Sequence, residues 1–117
     1  MKPGLRVAVI AAGRNGVVRR LRKLLTSFGY SVLYYRLKHD MDGRAVGKLT
    51  GVAILVESRD IKMSERACDE LLDHQVRIAI VTEFDHIREP RHECLHTLAG
   101  PLSASRLRTV MEQLEES

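Results

Sequence analysis

Hydrophobic residues fall along the chain in two patterns, short unbroken runs and stripes at helical spacing. The runs at residues 5–12, 52–56 and 77–82 are almost entirely apolar, as expected for strands that a parallel sheet buries on both faces. Shorter strands are predicted at residues 31–35 and 94–99, and the last strand is less apolar than the others. Strands alternate with helices five times, which predicts an α/β sandwich, nominally (βα)5, around a central parallel five-stranded sheet.

Helical spacing is clearest in three segments. The first ends just before Gly29, a residue type suited to a helix C-cap, and its apolar stripe consists of Val17, Val18, Leu21, Leu24, Leu25 and Phe28. Ser64 is predicted to cap the next helix, which runs to about His74 with Cys68 on its inward side. Ser103 or Ser105 is predicted to cap the last helix, whose inward positions are Leu107, Val110, Met111 and Leu114.

Two further helices are predicted to be weak. Residues 37–50 are polar and include two glycines, so the second helix is expected to be short. Residues 84–93 are charged and include Pro90, so a fourth helix there is expected to be shortened. No linker or repeat interrupts the pattern, and we expect one domain over residues 1–117.

Composition and the distribution of apolar residues indicate the cellular compartment. The chain has 117 residues, and no apolar run approaches the roughly 18 residues of a membrane helix. Its N-terminus lacks the apolar core of a signal peptide. Cys68 and Cys94 stand in unrelated segments, which suits a reducing compartment. We therefore expect a cytoplasmic protein whose domain makes no membrane contact.

Charge is distributed unevenly. Residues 1–48 contain 11 Lys or Arg and 2 Asp or Glu, whereas residues 49–117 contain 8 and 13. The polar side of the first helix forms a cationic face, which consists of Arg19, Arg20, Arg22 and Lys23. A solvated helix face, an acidic protein partner and nucleic acid are the three interpretations. Nucleic acid is not favoured, because 3 Tyr and 2 Phe offer little stacking and no nucleic-acid-binding motif is present.

Ligands of parallel α/β sheets collect at the carboxyl ends of the strands, which here are residues 11–15, 57–60, 82–83 and 99–101. The loop AAGRNG, residues 11–16, precedes a helix whose first amides can hold an anion near Arg14. It lacks both the G-x-G-x-x-G spacing and the Lys-Ser/Thr ending of nucleotide-binding loops. A small-ligand or nucleotide sensor that uses residues 12–15 and Thr82 is kept as an alternative.

Five segments, in register over essentially the whole chain, resemble the receiver domain of two-component signalling proteins. LRVAVIAAGRNGVVRRLRKLLTSFGYSV is similar to the family's first strand, first helix and start of the second strand. GVAILVES and RIAIVT are similar to its third and fourth strands, and AGPLSASRLRTVMEQL to its last strand, proline turn and final helix. The tail GPLSASRL also resembles receiver modules inside hybrid sensor kinases.

The resemblance implies a flavodoxin/CheY-like fold in which an aspartate takes a phosphoryl group beside Mg²⁺ held by acidic residues. The family's acidic pair falls on Ala11 and Ala12, and its phosphoacceptor on Glu57. Its lysine falls on Gly100, and only the switch hydroxyl is matched, by Thr82. Methyl groups cannot ligate a cation. The resemblance therefore implies a degenerate receiver that is no enzyme, holds no metal or cofactor, and works independently of phosphorylation.

The position of the acceptor has a second interpretation. The stretch DIKMS, residues 60–64, resembles the family's segment that begins at the acceptor, which would make Asp60 the phosphoacceptor. Against this, the preceding Glu57, Ser58 and Arg59 are unsuited to a buried strand. Glu57 itself either mimics a permanently charged acceptor or caps a loop.

Partners are also implied by the resemblance. The first helix of receivers often meets a histidine kinase or a phosphotransfer domain, so the cationic face suggests docking to an acidic surface of such a protein. We interpret the chain as a regulatory interaction module within or beside a bacterial sensor kinase. Leu107, Met111 and Leu114 are assigned to the core, with a weak homodimer face as the alternative.

A zinc site on the last strand is an alternative interpretation of its histidines and cysteine. His92, Cys94 and His96 lie on one side of an extended segment, and His86 or Asp85 offers a fourth ligand. We favour a strand edge with partly exposed histidines and expect no metal site.

Overall fold

All strands that the structure describes belong to one parallel sheet. The structure is a computed structural model that describes residues 5–13, 16–82, 95–99 and 102–116. The strand order is β2-β1-β3-β4-β5, the flavodoxin-like order, with β1 at Arg6–Ala11, β2 at Ser31–Arg36, β3 at Val52–Val56, β4 at Arg77–Thr82 and β5 at Leu95–Ala99. The predicted central sheet of five parallel strands is confirmed, and each strand begins and ends within one residue of its predicted bounds.

Four helices are described, α1 at Gly16–Ser27, α2 at Gly43–Leu49, α3 at Ile61–Asp73 and α4 at Ala104–Glu116. The predicted weakness of the second helix is confirmed, because α2 is only seven residues long. The predicted shortened helix at residues 84–93 lies outside the described residues.

The sheet separates two hydrophobic cores. Side chains of β1 alternate between them, with Val7 and Val9 packed beneath α1 and α4, and Ala8 and Ile10 packed beneath α2 and α3. The inward stripes predicted for the first and last helices pack in the first of these cores, and Cys68 is buried in the second. Because β1, β3 and β4 are covered on both faces, their apolar runs are unbroken.

Two glycines occupy positions that other residues would strain. Gly29 follows α1 with φ 96°, which confirms the predicted helix-terminating glycine. Gly43 begins α2 against α3, where an added Cβ would lie 2.6 Å from the Glu70 carbonyl oxygen. The α2–α3 contact therefore depends on a residue without a side chain at Gly43.

The predicted cap of the third helix is wrong. Helix α3 begins at Ile61, and Asp60 is its N-cap, with Oδ1 accepting a hydrogen bond from Met63 N at 3.1 Å. Ser64 is fully buried inside the helix, and its Oγ accepts a hydrogen bond from Ser58 N at 3.1 Å. Asp60 precedes Ser64 by one turn and satisfies the first free amides, so the helix starts earlier. For α4, Ser103 is confirmed as the cap, since its Oγ accepts from Arg106 N at 3.2 Å.

The C-terminal end of α4 is tied to the rest of the fold by long-range contacts. Tyr30, buried after α1, donates a hydrogen bond from its hydroxyl to Glu115 Oε1 at 3.1 Å. The Arg77 guanidinium donates to the Glu115 carbonyl oxygen at 3.2 Å. Burial raises the pKa of Tyr30 to about 12, and the hydrogen bond to Glu115 adds to the effect.

The Tyr30 contact makes stability depend on pH. Because its pKa in the folded state lies above the ordinary value of 10, its contribution is complete below pH 10 and is lost as the pH rises toward 12. Because solvent partly screens the Tyr30 hydroxyl, we expect the loss in the free energy of unfolding to be on the order of 1 kcal/mol. Urea unfolding of the wild type and of Tyr30→Phe, measured from about pH 8 to 12, is expected to show this loss in the wild type alone. Tyr35→Phe is the control and should keep the wild-type pH dependence. Parallel curves for the wild type and Tyr30→Phe above pH 10 would contradict the assignment.

Candidate functional site

The register of the sheet brings four of the sequence-predicted site positions to one edge. Ala11 ends β1, and Ala12 follows it. Glu57 follows β3 directly, and its backbone amide donates to the Val81 carbonyl oxygen at 2.8 Å. Thr82 ends β4. Because these strands are parallel, their carboxyl ends lie side by side.

The side chains at this edge differ in burial and in chemistry. Ala11 is buried and Ala12 is exposed, and each contributes only a methyl group. Glu57 is 4% exposed and Thr82 is 2% exposed, so the carboxylate and the hydroxyl lie within the protein rather than on its surface. Gly100, the position of the family's lysine, lies outside the described residues.

The described positions do not fit Mg²⁺. That ion takes oxygen ligands in octahedral geometry, and receivers are expected to supply several carboxylates. Ala11 and Ala12 offer no side-chain oxygen, which leaves Glu57 as the single carboxylate of the four positions. Elsewhere in the described ranges, no three His, Cys, Asp or Glu side chains form a group that could hold a metal ion.

Asp60, the alternative acceptor, has both carboxylate oxygens engaged. Its Oδ1 caps α3 through Met63 N, and its Oδ2 lies 3.2 Å from His39 Nε2. The side chain is 44% exposed and stands three residues beyond Glu57. The strand on which the Glu57 register depends, β3, is confirmed, since it ends at Val56. The two assignments of the acceptor themselves stay predictions.

The capping role of Asp60 is testable by stability. Asp60→Ala removes the acceptor for Met63 N and is expected to lower the free energy of unfolding by about 1 kcal/mol. Asp60→Asn keeps a side-chain oxygen that can cap and is expected to cost less than about half of that. Urea unfolding at pH 7 measures both values. Equal losses in the two variants would show that the cap is not what Asp60 contributes.

The cationic face of α1 is solvent-exposed. Arg19, Arg20, Arg22 and Lys23 are all exposed, while the opposite side of the helix packs in the core. The sequence contains no Asp or Glu before Asp40. Consequently no carboxylate side chain from α1 or from the flanking β1 and β2 offsets these four cations.

A groove runs along one flank of this face. It has a volume of about 590 Å³ and lies between α1 and β2, lined by Val18, Arg19, Arg22, Val32 and Tyr34. Arg19 and Arg22 therefore belong to the groove, whereas Arg20 and Lys23 are exposed and do not line it. Sequence reasoning identified the cations and missed the groove, because the groove depends on which strand lies beside α1.

The other predicted sites lie only partly within the described residues. Arg14 and Asn15 of the anion-binding alternative lie outside the described residues, as do His92 and Cys94 of the zinc alternative. His96 is half-buried on β5. Leu107, Met111 and Leu114 are fully buried, which confirms their assignment to the core. No helix within the described ranges is long and apolar enough to span a membrane.

Comparison with known proteins bears on the fold. The chain matches no protein-family model and no curated protein. Among solved structures, it is similar to a response regulator receiver domain protein from Bacillus halodurans, with a TM-score of 0.64 and 18% sequence identity over 97% of this chain and 99% of that one. At this identity the similarity establishes a shared fold, in agreement with the strand order described above.

Proposed function

We propose that the chain is a degenerate receiver, a non-enzymatic regulatory module of two-component signalling that works without phosphorylation. The observation that carries this proposal is the pair Ala11 and Ala12 at the end of β1, beside the buried Glu57. Acyl-phosphate formation needs a cation to neutralise the phosphoryl oxygens. Methyl groups at these positions leave the scaffold intact and remove that neutralisation.

The module would act by docking to other proteins. The four exposed cations of α1 form a surface suited to an acidic partner, and the absence of acidic residues before Asp40 leaves its field uncompensated along the first two strands. We propose a histidine kinase or a phosphotransfer domain in the cytoplasm as this partner, and we assign no nucleic-acid or membrane role. The proposed unit of function is the whole of residues 1–117.

Docking is tested by matched charge reversals. Arg20→Glu/Lys23→Glu alters α1, and Arg44→Glu/Lys48→Glu makes the same charge change on the exposed side of α2. Affinities for purified histidine-kinase dimerisation domains and phosphotransfer domains of the source organism are measured by calorimetry. The α1 variant is expected to lose at least about tenfold in affinity and the α2 variant less than about threefold. Glu57→Gln should leave the affinity unchanged.

A phosphotransfer assay gives the result that would contradict the proposal. Each phosphorylated partner domain is incubated with the chain, and the chain's mass is measured. Transfer of a phosphoryl group to Glu57 or Asp60 would contradict the proposal, as would binding that is insensitive to reversal of Arg20 and Lys23.

A further inference from the structure

At the margin of the sheet beside α1, β2 pairs on one side only within the part of the chain that the structure describes. Among the described strands, β2 pairs with β1 alone. Ser31 N donates to the Leu5 carbonyl oxygen at 2.9 Å, so the amide of Ser31 faces β1. Backbone groups of alternate residues point to opposite sides of a strand, and those of Val32 and Arg36 therefore point away from β1.

The register and sequence of β2 lack two features that commonly protect such an edge, a bulge and a proline. All six residues of β2, SVLYYR, pair with β1 in continuous register and without a bulge. The segment contains no proline and no charge before Arg36. Its four central residues are half-buried and apolar or aromatic. Edge strands without a bulge, a proline or a charge at their central residues are templates for pairing with another strand.

The groove lies directly beside this edge. The side chains of Val32 and Tyr34 pack on the same face of the sheet as α1, and Val18, Arg19 and Arg22 form the opposite wall of the groove. A strand added to β2 would direct alternate side chains into this groove, within reach of the two guanidinium groups. Neither Arg19 nor Arg22 forms an ion pair with any residue in the described ranges.

We propose that β2 and this groove bind an extended acidic peptide segment, which adds to the sheet as a sixth strand. The inference rests on the proposed docking role of the α1 cations and names the form of the ligand that two of them hold. Main-chain hydrogen bonds to Val32 and Arg36 supply affinity, and carboxylates that meet Arg19 and Arg22 supply specificity.

The charges exclude a second copy of this chain as the preferred occupant. Pairing two β2 edges would bring Arg19 and Arg22 of both copies together with no carboxylate from α1, β1 or β2 to offset them, since residues 1–39 contain no Asp or Glu. Like charges held in one groove oppose association. An acidic peptide meets the same edge with complementary charge.

The probe is the acetylated, amidated octapeptide of alternating Glu and Val, titrated into the full chain and followed by amide NMR. The amides of Val32 and Arg36 are expected to shift saturably and to gain protection from hydrogen exchange. Those of Leu33 and Tyr35, which face β1, should keep the protection they already have. The corresponding peptide of alternating Lys and Val should not bind.

Matched variants separate the groove from the rest of the cationic face. Arg19→Glu/Arg22→Glu is expected to weaken peptide binding at least about tenfold, and Arg20→Glu/Lys23→Glu less than about threefold, although both make the same charge change. Two further peptides, N-methylated either at every Glu or at every Val, each lack one hydrogen-bonding edge. Strand addition requires that one of them binds and the other does not.

Four outcomes would overturn the inference. The first is an equal loss of peptide affinity in Arg19→Glu/Arg22→Glu and in Arg20→Glu/Lys23→Glu, and the second is equal binding of the two N-methylated peptides. The third is self-association of the chain through β2. The fourth is tighter binding of octathymidylate than of the acidic peptide at the same residues. Each leaves the kinase-docking result untouched, because that result depends on Arg20 and Lys23. Loss of kinase docking alone would in turn leave the peptide result standing.

Discussion

Pairing between β1 and β3 at the centre of the sheet is the constraint on which the rest of the structure depends. Its register, Ala8 with Ala53, Val9 with Ile54 and Ile10 with Leu55, sends alternate side chains into two separate cores. A slip by one residue would exchange those two sets and disrupt both cores. The same register brings the carboxyl ends of β1 and β3 together. The chemistry at that end of the sheet therefore depends on the residues that follow each strand.

The residues that follow β1 and β3 retain the fold of the sheet but lack the carboxylates that phosphoryl transfer would need. After β1 the chain continues with Ala12, and after β3 with the buried Glu57, so these described positions are filled without a cluster of carboxylates. Positive charge is concentrated instead on α1, one layer away from the strand ends. In the function that we propose, the chain regulates by docking through surfaces that the sheet positions. No covalent bond is made at the carboxyl ends of the strands. The open edge of β2 extends those surfaces from a helix face to a pairing strand.

Local sequence patterns predicted the features that have local causes. The apolar run at residues 78–81 is too short for a buried helix and favours a strand covered on both faces, and the stripe before Gly29 favours a helix that packs on one side. The start of α3 was wrongly predicted at Ser64, because Asp60, one turn earlier, is also a good cap and satisfies the first free amides of the helix.

Long-range features could not be predicted in this way. The contact between Tyr30 and Glu115 joins residues 85 positions apart, and the groove beside β2 exists because that strand forms the margin of the sheet. At the candidate site, the assignment of Ala11, Ala12 and Glu57 to the family's functional positions came from the family resemblance. The engagement of both Asp60 oxygens required the structure, since one partner, His39, comes from a distant loop.

The most direct measurement is an amide NMR titration of the chain with Mg²⁺ followed by beryllofluoride, which imitates an acyl phosphate. If the chain is a degenerate receiver, the amides of Ala12, residues 57–60 and Thr82 show no saturable change with either addition. A joint, saturable shift of residues 57–60 and Thr82 would contradict that conclusion and identify a working phosphoacceptor with unconventional ligands.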